Sequence, residues 1–208
     1  MGIRERKQRE YARRKSLILA TARRMFRRKG LNGVTLDDIA GEIEFSKGTI
    51  YSHFDSKEEI FAQILLEHLN ALIEYLKRAQ AESSDAADGV RRALDAYLRF
   101  YDQNREYGRL LFFVDALNPN VRIPESLRQE IQRRKLACLA ELQRILKKGA
   151  EPRGDVKQIA LLLWGMLNGV LQLVESKQIG RNDLDSLIAL GFDVVMAGLS
   201  GRPARSTR

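Results

Sequence analysis

Cysteine, histidine and proline are scarce in this 208-residue chain, which has one Cys, two His and four Pro. A single thiol, Cys138, can form neither an intramolecular disulfide nor a Cys-rich zinc site, so a reducing, cytoplasmic setting is expected. Flanked by Ala137 and Leu139 on an apolar stretch, it reads as a buried, inert thiol rather than a redox sensor. With His68 the only histidine besides His53, no metal site is expected, and no cofactor motif is present. The chain has no Gly-rich phosphate loop, no Cys/His metal spacing and no nucleophile elbow, so it does not read as an enzyme. Long apolar runs are missing too. The first thirty residues are charged and hold no apolar leader, and the longest apolar stretch, Ile159 to Val174, is interrupted by Asn168 and Gln172. No membrane partner is expected, and that stretch reads as a helix buried on most of its surface.

What the chain has is charge, unevenly placed. Its formal net charge is +9. Residues 1–29 carry twelve Lys/Arg against two Glu, and Arg202 to Arg208 add three Arg, so the body between is mildly acidic. Basic ends are either solvated tails or the electrostatic footprint of nucleic acid or an anionic membrane. A hydrophobic share of 44% at this length is enough for a sizeable core.

Helix signals recur throughout, while strand-type alternation is absent, so the expected fold is all-α with about nine helices. The first spans about Glu10 to Lys29, with Leu17, Ile18, Ala20, Ala22, Met25 and Phe26 on its buried side and Gly30 as its stop. Thr35 with Asp38, and Ser56 with Glu59, fit hydroxyl caps answered by an acid three residues on, and Ser46 opens a helix between them. Helices follow at about Leu36 to Ile43, Lys47 to His53 and Lys57 to Ala81. The rest are expected near Ala86 to Asn104, Glu106 to Leu117, Pro124 to Gly149, Asp155 to Lys177 and Leu184 to Leu199, with Asp155 and Asp183 as N-caps.

Leu36, Ile39, Ala40, Ile43, Phe45 and Ile50 can form a small core that holds two short helices at a steep angle. The second helix then presents Lys47, Gly48, Thr49, Tyr51 and His53, a surface of donors, a methyl and aromatic edges without an acid. A DNA major groove is read by such a surface. From Leu17 to Leu66 the chain resembles the DNA-binding region of the TetR family of transcriptional regulators. The resemblance rests on Ile18, Thr21, Ala22 and Phe26, then Gly30, Thr35, Asp38-Ile39-Ala40, Ser46-x-Gly48-Thr49-Ile50-Tyr51-x-His53-Phe54 and Ser56-Lys57-Glu58.

The resemblance implies that Thr35 and Lys57 contact phosphates at helix N-termini and that Ser46, Lys47, Gly48, Thr49, Tyr51 and His53 belong to the recognition element. Lys47 and Thr49 are the base-edge readers, and Tyr51 and His53 the backbone contacts. On the residues alone, Tyr51 is otherwise a core aromatic and His53 otherwise a structural hydrogen-bonding group. One position departs from the family pattern: Glu44 stands where a glycine is usual in the turn, a place that can need positive φ. Its carboxylate is expected to face solvent. The basic N-terminus either continues the first helix or forms an arm on the DNA backbone or minor groove.

The resemblance further implies a DNA-binding domain over 1–56, a helical regulatory and dimerisation domain over 57–201 and a basic disordered tail over 202–208. Tyr97, Phe100, Tyr101, Asn104, Phe112, Phe113, Asp115, Trp164 and Asn168 can line a site for a lipophilic or aromatic effector, or the aromatics can simply be core. The last two helices, apolar on most sides, are expected to pair two copies of the chain. Together these imply a repressor that binds double-stranded DNA at a palindromic operator as a homodimer and is released when a small effector moves the helix near Lys57 to Ala81. The alternative is a ligand-independent or architectural DNA-binding protein.

Overall fold

A computed structural model describes residues 2–103, 123–149 and 154–200. Among them are eight α-helices and no strand, so the chain is all-α. They are α1 (Ile3–Lys29), α2 (Leu36–Glu42), α3 (Lys47–Tyr51), α4 (Lys57–Glu82), α5 (Ala86–Gln103), α6 (Glu125–Leu146), α7 (Val156–Glu175) and α8 (Asn182–Ser200). The helix expected at Glu106 to Leu117 and the tail from Arg202 to Arg208 lie outside the described residues.

The chain divides into two compact units, one within Met1–Glu67 and Phe113–Ile131, the other within His68–Phe112 and Gln132–Arg208. In the first, α2 and α3 have seven and five residues, too few to hold a helix alone. Buried Leu36, Ile39, Ala40 and Ile50 pin them to one core with Ile18, Ala22, Met25 and Phe26 of α1, and Ile60, Phe61 and Ile64 of α4. Each of the Ile, Leu, Met and Phe side chains among these, once fully buried, contributes about 1.5–3 kcal/mol. Phe26 meets Phe61 edge-on at 5.7 Å, and Arg23 donates to Glu67 at 2.6 Å, tying α1 to the first turns of α4. Ile43 and Phe45, expected in this core, are only half-buried, and Val34 and Phe54 fill the space instead. On α1 the buried stripe is Ile18, Leu19, Thr21, Ala22, Met25 and Phe26, whereas Leu17 and Ala20 are exposed.

Local chemistry sets most helix starts. Thr35 caps α2 through the Asp38 N–H at 3.1 Å, and the Asp38 carboxylate returns a bond from the Thr35 N–H at 2.8 Å. Ser56 accepts from the Glu59 N–H at 3.0 Å, and the Glu59 carboxylate accepts the Asp55 N–H at 2.8 Å. Asp155 caps α7 as expected. Asp183 does not cap α8: it lies inside the first turn, and its carboxylate accepts the Gly180 N–H instead.

The second unit is a helical bundle whose core includes Leu69, Leu72, Leu76, Val90, Leu94, Leu142, Ile145, Leu163, Leu167, Leu171 and Ile188. Within it α7 packs on α8, and α8 also touches α5. Contrary to expectation, α7 is not buried on most of its surface in the single chain. Ala160, Leu163, Leu167, Asn168 and Leu171 face inward, while Leu161 and Leu162 are 47% and 67% exposed. By length and composition α7 could cross a membrane, a test that a core helix of a helical bundle also passes.

Candidate nucleic-acid interface and helical cavity

In the first unit, the turn between α2 and α3 follows from how α2 ends. The Phe45 N–H bonds the Ala40 carbonyl at 2.9 Å and the Glu44 N–H bonds the Gly41 carbonyl at 3.3 Å, the paired bonds of a Schellman stop. That stop requires a left-handed residue, and Glu44 supplies it with φ 55°. Its side chain is exposed, as expected. Ser46 then caps α3 by accepting the Thr49 N–H at 3.2 Å, and the Ser46 and Thr49 hydroxyls are 2.9 Å apart.

This short α3 carries Lys47, Gly48, Thr49 and Tyr51 together. Ser46, Lys47 and Gly48 are exposed, and Tyr51 is 53% exposed, which removes it from the core. His53 sits just past α3 with its ring 4.1 Å from that of Tyr11 on α1. Its Nδ1 is buried and has no hydrogen-bonding partner in the structure. Burial, with Arg14 and Lys15 nearby, holds the imidazole below its ordinary pKa, so at neutral pH it adds no charge of its own. Arg6, Lys7, Glu10, Tyr11 and Arg14 of α1 share an open groove with Ser52 and His53, in which Arg14 donates to Glu10 at 2.9 Å. The basic N-terminus therefore continues α1, and one flank of it lies alongside the chain that leaves α3.

Two expected phosphate contacts are engaged elsewhere. The Thr35 hydroxyl donates to Asp38 at 2.7 Å, and these bonds hold the Asp38 carboxyl below its ordinary pKa. Lys57 donates to the Leu31 carbonyl at 3.0 Å, fastening the loop before α2. One participant was not anticipated from sequence: Asp37, on the first turn of α2, accepts a bond from the Lys47 ammonium. Hydrogen bonding to Asp37 lifts the Lys47 pKa above its ordinary value. An alternating charge pattern would not reveal this pair, because it depends on the angle between α2 and α3.

In the second unit, Tyr97, Trp164 and Asn168 come together. The Tyr97 hydroxyl donates to Asn168 Oδ1 at 2.8 Å, the Asn168 amide donates to the Trp164 carbonyl at 2.7 Å, and the two rings meet edge-on at 6.3 Å. Beside this pair, Tyr97 and Trp164 line an apolar cavity with Leu76, Val90, Ala93, Leu94, Leu142, Leu163 and Leu167, a wall that does not include Asn168; its volume of about 10 Å³ is room for a single water. Burial raises the Tyr97 hydroxyl far above its ordinary pKa, so it stays a neutral donor. Phe100 packs instead against His68 and Tyr75, and Tyr101 donates to Glu175. Phe100 and Tyr101 are thus core residues, and Asn104, Phe112, Phe113 and Asp115 lie outside the described residues. Cys138 is buried, and burial pushes its thiol up to about 12, which suppresses the reactive thiolate.

Residues 18–64 match the model of bacterial regulatory proteins of the tetR family. The chain is similar to the HTH-type negative transcriptional regulator IcaR of the biofilm operon icaADBC in Staphylococcus epidermidis, at 28% identity over 78% of this chain and 80% of that protein. It is also similar to the HTH-type transcriptional activator FasR of Mycolicibacterium smegmatis, at 28% identity over 48% of this chain, an alignment spanning 45% of that protein. Among solved structures, the TetR-family regulator PfmR of Thermus thermophilus superposes with a TM-score of 0.67 at 25% identity, covering 88% of this chain and 98% of that one.

Proposed function

Because this chain belongs, through residues 18–64, to the TetR family of bacterial regulatory proteins, we propose that it is a repressor that binds a palindromic operator as a homodimer and is released by a small lipophilic or aromatic effector. TetR-family regulators bind DNA and typically act as dimers. The observation that carries the reading is the α2–α3 pair, which holds Lys47, Gly48 and Tyr51 outward on a short capped helix beside the basic flank of α1. Similarity to a negative regulator over most of both chains favours repression over activation.

The division of labour in this proposal is DNA binding by 1–56 and regulation and dimerisation by 57–201. The effector would enter where Tyr97, Trp164 and Asn168 meet. A site for such a molecule needs a few hundred Å³, so the bundle must open to admit it, and α4, continuous from Lys57 to Glu82, is the element that carries the change to the recognition helix. The DNA partner places the protein in the cytoplasm. The narrow cavity favours a second reading, in which the protein binds DNA without a small-molecule switch.

Selection of duplexes from a random pool by the purified full chain tests both. The first reading expects a dyad-symmetric site with half-sites about one helical turn apart, a saturable footprint, and release by a member of a lipophilic compound panel. Length-dependent coating of any duplex, without release, overturns it in favour of the second.

A further inference from the structure

The Lys47 ammonium stands at the first position of the recognition helix, yet it is paired with the Asp37 carboxylate of the preceding helix. Both side chains are solvent-facing, at 71% and 47% exposure, so the pair is not a core feature. An exposed ion pair contributes little to stability. Its cost to DNA binding is larger in principle, since a carboxylate at this face repels phosphates and cancels a cation that would otherwise meet them.

We infer that Asp37 is a specificity-determining residue of the DNA-binding face: it restrains the Lys47 ammonium from sequence-indifferent phosphate contact and presents it as a fixed donor to base edges. The inference rests on the DNA-binding reading above. A lysine is a compact cation on a flexible stem and, left alone, settles on whichever phosphate is near. Held by a neighbouring carboxylate, it becomes a donor at a fixed place beside an acceptor. Base edges in the major groove offer matching acceptors and donors, guanine O6 and N7 for the ammonium and cytosine N4 for the carboxylate, and phosphates offer only acceptors. The pair therefore favours base edges and penalises backbone. Two further bonds order the neighbouring hydroxyls without DNA: the Thr49 hydroxyl is tied to Ser46, and Ser52 Oγ donates to the Thr49 carbonyl at 2.8 Å.

The test compares the full-length chain with D37N, K47A and the double variant. Fluorescence anisotropy would follow binding to mixed-sequence genomic duplex and to a duplex selected by the unaltered chain, across a salt series. D37N is expected to bind mixed-sequence duplex about two- to five-fold more tightly per recognition helix. Its log K against log salt should steepen by about 0.9 per helix as one more phosphate is engaged, and its preference for the selected duplex should shrink. In the K47A background the same change should lose most of its effect. Unchanged affinity and slope in D37N overturn the inference, as does an equal gain in the K47A background, which would make Asp37 a repulsive charge and nothing more. Failure of the unaltered chain to bind any duplex overturns the DNA-binding reading and this inference with it. Binding by the unaltered chain with an indifferent D37N overturns this inference alone.

Discussion

Glu44 occupies the left-handed region, φ 55°, at the turn between α2 and α3. A side chain there meets the following carbonyl and costs about 1–2 kcal/mol, of which glycine's greater freedom in the unfolded chain takes back a part. Glu44→Gly should therefore stabilise the protein by about 1 kcal/mol, raising Tm by about 2–4 °C in a chain this long. Because the carboxylate is exposed and off α3, affinity for a selected duplex should stay the same or rise. Anisotropy together with a thermal melt checks both, and a sharp fall in affinity would place Glu44 in the DNA face after all. This residue was legible in the sequence as a departure from a glycine position. Asp37 was not: ten residues from Lys47, it belongs to the site only through the crossing of two helices, which no local pattern encodes.

Helix beginnings were legible wherever a side chain makes them. Thr35, Ser46, Ser56 and Asp155 all accept the expected backbone bonds. The beginning of α1 was not, because Ile3 to Arg14 is exposed and carries no apolar period, so the sequence places its start near Glu10 and the helix starts at Ile3. That extension matters for function. It sets Arg4, Arg6, Lys7 and Arg9 on a helix whose flank, with Arg14, lines the groove shared with Ser52 and His53. Phosphate contacts from such a helix are indifferent to sequence. Deleting residues 2–9 should weaken binding to mixed and selected duplexes alike and flatten the salt slope by about 0.9 for each phosphate no longer engaged. Melting should barely change, since those residues are exposed. An unchanged slope would mean that the extension does not touch DNA.

For the whole molecule, the apolar character of α7 was legible, but its two faces were not separable from sequence because Leu lies on both. The inward face packs in the bundle, and the outward one leaves Leu161 and Leu162 uncovered, with Leu190 and Val194 of α8 also more than half exposed. Gly165 and Gly169 add a place where another backbone can come near, since a Cβ built at either meets nothing within 4 Å. On the reading proposed above, these exposed aliphatics on two adjoining helices are where a second copy would sit, bringing two recognition helices to two half-sites. In a two-fold interface each residue acts from both chains, so a single charge is felt twice. Leu162→Glu should therefore give a monomer by light scattering while the far-UV helical signal persists, because the side chain is 67% exposed in the single chain and its replacement opens no cavity. The monomer should keep weak, salt-dependent binding to mixed duplex, since that depends on charge carried by each copy. It should lose the tight, saturable footprint on a dyad-symmetric duplex, which needs both recognition helices at once. A chain that is monomeric before substitution would refute pairing through α7 and α8, and a Leu162→Glu dimer would move the interface elsewhere.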